Sequence, residues 1–327
     1  MNIKALFRPF LCAAVALAAL GAQADEPAAA YPTRPVKLVV PFTPGGGSDA
    51  LARILASKLG ETLKQSVIVE NRPGAGGNLA ANYVAASAPD GCTLLLVDTP
   101  FVANLSVYPK AGYSLADFEP VAMVATVPSF IVVGKHLPVN SVKELIALAK
   151  KEPGKLNMAS GGAGGAAHLA AARFALETGV EWAHVPYRGM SPALMDVVGG
   201  QADVIFVTAP TVLPHLKGGR VKALAVTSAV RTPLAPEVPS VAELGLPMLV
   251  SDNWYGIVAP AKTDPKIVEK LFLRINEALR DPAIKTKMLD QLATPAPMPS
   301  AQAFGQLLQR DKGVWAATVK AAHITVN

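Results

Sequence analysis

The chain has 327 residues, of which 51% are hydrophobic and 17% charged, and it carries a formal net charge of +6 at pH 7. That length suits two domains of ordinary size, each with a substantial core. Its two cysteines, Cys12 and Cys92, are too few for a disulfide-stapled fold, and its basic residues are scattered without runs, which argues for weak steering of anions over nucleic-acid binding.

The first 24 residues read as a leader. Lys4 and Arg8 precede an apolar run over residues 10–22, and the small residues 22–24 (AQA) offer a cleavage site before Asp25. This is the pattern of a secretory signal peptide. The run is too short to span a bilayer, and the PFL that precedes Cys12 is a poor lipoprotein context. The expected outcome is export as a soluble protein. Cys12 leaves with the leader, and Cys92, before the apolar TLLLV, reads as a small buried hydrophobe.

After the leader, the chain states one pattern twice. VKLVVPFTPGGGSDALARILASKLG begins at Val36, and KLNMASGGAGGAAHLAAARFALETG begins at Lys155. Each reads as an apolar strand, a glycine-rich turn and an amphipathic helix. In the first half, SVIVENRPGAGG predicts a strand and a second glycine turn, NLAANYVAAS a helix, and CTLLLVDTP a third strand. In the second half, VEWAHVPYRG predicts a strand and turn, SPALMDVVGG a helix, and ADVIFVTAP a strand. Alternating strands and helices predict an α/β fold with two parallel-rich sheets flanked by helices.

Two extended stretches link the halves. One spans residues 121–133 and the other begins at Asp252. Their placement predicts two crossover strands, a leader over residues 1–24, one discontinuous domain from 25–125 plus 254–327, and a second domain over 126–253. The chain closes with helices over Pro265–Arg280 and residues 301–321. Asp264 before Pro265 is an N-cap followed by proline at the first helical position.

The glycine turns are the candidate site. Glycine lets the backbone turn tightly and approach a ligand. The helix behind presents unpaired N–H groups and a partial positive charge, which suits an anion. The candidate ligand-binding residues are Thr43, Gly45, Gly46, Gly47, Ser48 and Asp49 at the first turn, and Gly76, Gly77, Asn78 and Thr99 beside it. In the second half they are Ser160, Gly161, Gly162, Gly164, His168, Tyr187, Arg188 and Thr208. Ser48 and Asp49 also fit simple helix capping, and His168 also fits a packed histidine. Arg188 reads equally as a counter-ion or an exposed arginine.

Gly162, Gly164 and Ala167 match the dinucleotide fingerprint, but the following strand ends in HVPY without the acidic residue that a nicotinamide site uses. The remaining histidines lack metal-ligand spacing. There is no G-x-S-x-G elbow and no phosphate loop. No cofactor, metal or catalytic set is expected.

Taken together, VVPFTPGGGSDALAR, IVENRPGAGGN, APDGCTLLL, HVPYRGMSPALMDVVGGQADV and VPSVAELG, in this order, resemble the tripartite tricarboxylate transporter substrate-binding proteins, or Bug receptors. The match extends over nearly all of the chain after the leader. It implies a monomeric two-lobed periplasmic binding protein of the type II-like class with two crossover strands. It also implies a small carboxylate as ligand, held through backbone groups and waters, and delivery to membrane permease subunits. The rival readings are a sensor input protein that docks a membrane kinase, and an exported enzyme acting on small carboxylates. GGGSD and Cys92 depart from the family's usual residues, which leaves ligand choice open.

Overall fold

The computed structural model describes residues 30–324 except Arg188 and Leu234; the expected leader lies outside the described residues. The chain starts with β1 (Val36–Val40), α1 (Gly47–Leu63), β2 (Val67–Asn71), α2 (Asn78–Ala85), β3 (Thr93–Asp98), α3 (Thr99–Val107) and β4 (Phe118–Val127). Pro128 leads directly into β5 (Ser129–Gly134), followed by α4 (Val142–Lys151), β6 (Asn157–Ser160), α5 (Ala166–Thr178), β7 (Ala183–Pro186), α6 (Met190–Gly199), β8 (Val204–Thr208), α7 (Ala209–Lys217) and β9 (Val221–Val226). It returns through β10 (Asn253–Pro260) and ends with α8 (Pro265–Arg280), α9 (Pro282–Asp290), β11 (Thr294–Pro295) and α10 (Ala301–Ala321).

Local sequence explains these elements. β1 is VKLVV, a β-branched run buried at four of its five positions, as a strand covered on both faces requires. On α1, Leu51, Leu55, Leu59 and Leu63 recur every four residues and are all buried, giving one apolar face. Asp264 accepts from the Lys266 N–H and Ser300 from the Ala303 N–H, which fixes the starts of α8 and α10. Helices α3, α4, α7 and α9 go beyond those the sequence pattern indicates. Of these, α3 and α7 begin where each half carries a threonine and a proline after a strand; the proline falls within the first helical turn, where its missing N–H does no harm.

Two sheets form, in the orders β11-β4-β10-β3-β1-β2 and β7-β6-β8-β5-β9. The strand–helix–strand units pair in parallel, as expected: β1 with β2 and β3, and β6 with β7 and β8. The sheets are nonetheless mixed, because β10 lies antiparallel between β3 and β4, and β5 antiparallel between β8 and β9. The cause is the crossover. A chain arriving from the other lobe enters a sheet at the edge where the parallel strands end, so it must run against them. Ser129, the first residue of β5, accordingly pairs with Thr208, the last of β8.

Each sheet is covered on both faces, giving four buried clusters. One cluster joins the lobes: Leu169 and Ala172 of α5 pack with Trp254, Trp315 and Val319. Beside it the Arg173 guanidinium donates to the Val250 carbonyl, and Trp254 Nε1 donates to Asp311 on α10. Among the described residues, no helix is long and apolar enough to cross a membrane.

Gly256 on β10 shows how tightly α10 lies on its sheet. A Cβ there would stand 2.1 Å from the ring of Phe304, which is fully buried and meets Trp254 edge-on at 5.8 Å. Gly256→Ala is therefore expected to cost about 1–3 kcal/mol by overpacking. Urea unfolding measures this, and adding Phe304→Leu should recover part of the loss. An unchanged midpoint in the single variant would mean that α10 shifts freely.

Candidate functional site

Topology brings the two glycine turns to related places. β4 leaves the first sheet, and β5 enters the second, at the edges where the parallel strands end. The turns after β1 and β6 lie on those same edges, where open α/β sheets place ligands.

In the first turn, residues 43–47 are exposed and Gly46 is the N-cap of α1. Gly45 has φ +84°, and nothing lies within 4 Å of a Cβ built on Gly45 or Gly47. Asp49 is buried and accepts from three donors at 3.0 Å: the Gly45 N–H, Arg53 Nε and Asn71 Nδ2. The same Asn71 amide donates to the Phe42 carbonyl. Arg53 foremost, with the Gly45 and Asn71 bonds, holds the Asp49 carboxyl at about 2, against the opposing effect of burial. Asp49 thus fixes the turn's shape from behind. Beside it, the side chains of Ser48 and Asn253 bear on the Tyr255 hydroxyl and favour its ionised form. Burial, then the charge of Asp98, push that hydroxyl up to about 12.

The neighbouring turn at Gly76, Gly77 and Asn78 is a packing device in this conformation. Asn104 Nδ2 donates to the Gly76 carbonyl at 2.9 Å and to Asn78 Oδ1 at 3.0 Å, and Asn78 is buried. A Cβ on Gly76 would meet the Tyr108 hydroxyl at 2.8 Å. Thr99 is likewise buried, its Oγ1 accepting from the Trp254 N–H. Asp98, at the end of β3, is buried so deeply that its carboxyl is pushed up to about 7.

In the second turn, Ser160 is fully buried and Gly165 is the N-cap of α5. Gly162 and Gly164 have φ +144° and +74°. The Gly162 N–H reaches Ser160 Oγ at 3.3 Å, and the Gly164 N–H donates to His168 Nδ1 at 3.1 Å. A Cβ on Gly161 would strike Met190 Sδ at 2.8 Å. The Tyr187 hydroxyl donates to Asp196 on α6. Thr208 is the N-cap of α7, and Arg188 lies outside the described residues.

The sequence presents Gly45, Gly162 and Gly164 as donors toward a ligand, whereas here their N–H groups are satisfied within the chain. The first-turn amides of α1 and α5, which no intrahelical carbonyl reaches, are the remaining donors. Residues that the sequence reading did not single out also enter: Arg53 and Asn71 behind the first turn, Asn104 behind the second glycine turn, Tyr255 and Asn253 on the returning strand, and His184 under the second lobe's turn. Only Arg53, four residues after Asp49 on one helix, had a readable spacing. Among the described residues, no group of three or more His, Cys, Asp or Glu could hold a metal. A groove of about 710 Å³ lies away from both turns, between α8 and the start of α10.

The paired sheets, exchanged strands and glycine turns define a two-lobed binding protein, the fold of periplasmic solute receptors. Residues 51–324 match the model of the tripartite tricarboxylate transporter family receptor, and the chain belongs to that family. Protein BugT of Bordetella pertussis is 41% identical over 282 residues, covering 85% of this chain and 86% of BugT. A protein of R. palustris solved with adipate superposes with a TM-score of 0.78 at 36% identity, covering 90% of this chain and all of the other. MatC from Rhodopseudomonas palustris, with bound malate, gives 0.75 at 33% identity, covering 88% of this chain and all of MatC.

Removing the first tether has a defined pH signature. Asp49 is held below its ordinary value of 3.8, so its contribution is present above that value and fades as pH falls toward about 2. Asp49→Ala is expected to lower stability at pH 7 by about 1–2 kcal/mol, with partial solvent screening of Arg53 included. In chemical denaturation the gap to wild type should narrow between pH 4 and 2. A gap that stays constant over that range would show that the carboxylate charge contributes nothing.

Proposed function

We propose that the protein captures a small carboxylate in the cleft between its lobes and delivers it to the membrane subunits of a tripartite tricarboxylate-type permease. The carrying observation is the pair of helix starts, α1 and α5, each behind a glycine turn on the cleft edge of its sheet. Membership of the receptor family supports it, as do relatives solved with adipate and malate. On this reading the chain is exported to the periplasm and its leader ends at Ala24. One domain comprises 25–125 plus 254–327, and the other 126–253. The ligand meets backbone N–H groups of the first turns of α1 and α5. Ser48 and Thr43 flank the first, while Asp49 and His168 shape the turns from behind.

A thermal-shift panel of malate, adipate, citrate, aspartate and benzoate tests the ligand class. At a concentration 100 times its dissociation constant, a matched acid contributes about 2.7 kcal/mol of stabilisation. A panel in which none of these acids moves the melting temperature would overturn the carboxylate assignment.

The second turn can be tested by its backbone. A Cβ on Gly162 meets nothing closer than the Tyr187 carbonyl at 3.8 Å, but its φ of +144° is one that L residues rarely adopt. Gly162→Val is expected to keep the fold and lose most binding by calorimetry. Wild-type affinity in this variant would remove the second turn from the site.

A further inference from the structure

The two turns share one construction. In each, a glycine just before the N-cap has positive φ, Gly45 at +84° and Gly164 at +74°. In each, its N–H is held by the side chain four residues ahead, Asp49 in one lobe and His168 in the other. The two tethers differ in charge. Asp49 is an anion held beside Arg53. His168 acts through a ring nitrogen that accepts a hydrogen bond, so Nδ1 carries no proton and the ring is neutral.

His168 does not stand alone. Its ring stacks on that of His184, with centroids 3.7 Å apart and planes 10° from parallel. His184 Nε2 lies 2.7 Å from Ser160 Oγ. Ser160 Oγ in turn donates to the Gly162 carbonyl at 3.1 Å and faces the Gly162 N–H at 3.3 Å. All three contacts are satisfied together when His184 carries its proton on Nε2 and donates it to Ser160. The stacked rings therefore underlie both ends of the turn, Gly162 through Ser160 and Gly164 through His168.

We propose that His168 and His184 are positioning residues for ligand capture: His168 is an uncharged tether that shapes the second glycine turn, and His184, stacked beneath it, keeps that tether in its hydrogen-bond-accepting form. The inference rests on the reading that this turn holds the carboxylate. Burial and then the neighbouring His184 hold His168 at about 4, below its ordinary 6.5. Burial also lowers His184. Two imidazolium rings at the stacking distance would repel each other strongly.

The surrounding charges leave this arrangement intact. Among the described residues, His184 is the ionisable group whose charge bears on His168. Glu177 on α5 and Asp311 on α10 bear on Arg173. Asp203, ahead of β8, is bound by His136 and by the Asn157 N–H. Tyr187, after β7, is bound to Asp196 of α6. β6 and β8 bring no ionisable side chain.

Four variants and two readouts test the proposal. His168→Asn places Oδ1 where Nδ1 stood, so it keeps an uncharged tether and should bind malate, adipate or citrate within about threefold of wild type at pH 7.5. His168→Asp keeps an accepting tether, as Asp49 does in the first turn, but adds an anion. It should fold and lose roughly tenfold to a hundredfold in affinity for whichever of these acids binds. His184→Gln keeps a donor for Ser160 but removes the stacked ring. The smaller of the two influences that lower His168 is then gone while burial remains, so affinity should fall about twofold between pH 7.5 and 5.5 while wild type stays flat. In the double variant His168→Asn/His184→Gln that slope should vanish.

The second readout needs no ligand. Amide exchange at Gly164 should show protection in wild type at both pH values, and protection in His184→Gln that weakens on acidification. Wild-type affinity in His168→Asp, a flat profile in His184→Gln, or an unprotected Gly164 amide in wild type would each overturn the proposal. If none of the three acids binds wild type, the carboxylate reading fails, and the exchange data decide the tether on their own.

Discussion

The N–H of Gly45 and the N–H of Gly164 each end on a side chain four residues ahead, and the shape of both cleft edges follows from those two bonds. A helix that begins directly after a tight turn has no carbonyl to satisfy its first donors. Unless the turn itself is pinned, those donors have no fixed direction. Here the pin comes from within the first helical turn, so turn and helix start behave as one rigid piece. The donors left over are the ones that point outward from it. The chain thus spends some glycine amides on its own shape and leaves the helix-start amides without an intrahelical partner.

Much of this was legible because it is local. β-branched runs, glycine clusters and four-residue spacings mark strand, turn and helix one after another, and the paired order of the two halves follows. The mixed sheets were not legible, since nothing inside DNWYGIVAP says that its neighbours run the other way. Strand direction is set by the edge at which a crossover enters, and that is known only when both sheets exist. The site divides along the same line. Ser48, Ser160 and the glycines announce themselves by position. Asn104 lies 26 residues from Asn78, and His184 lies 24 from Ser160; each acquires its role through pairing that brings distant segments together. Tyr187 was legible as a polar group at a strand end, but its hydroxyl turns to Asp196 on the following helix.

Helix α5 has two attachments that pull in different directions. Its first turn shapes the second lobe's cleft edge, and its next turn buries Leu169 and Ala172 against Trp254 and Trp315 of the first lobe. Any relative movement of the sheets must carry this packed contact with it or slide along it. Interdigitated side chains do not deform continuously, so such a movement favours discrete positions. The indole of Trp254, bonded to Asp311 and edge-on to Phe304, lies within that packed contact.

The exchange of strands between sheets also sets an order of assembly. The second sheet is continuous in the chain: β5 through β9 occupy residues 129–226, and every pairing between these strands lies within that span. The first sheet is interrupted by all of it. β3 and β4 have no direct pairing and are bridged by β10, which begins at Asn253. Until that strand arrives, β1, β2 and β3 form a three-stranded fragment with an open edge at β3, and β4 has nowhere to dock. Two of the helices that cover this sheet, α8 and α10, come later still. The lobe that starts the chain is therefore the last to close, and its termination waits on the final quarter of the sequence.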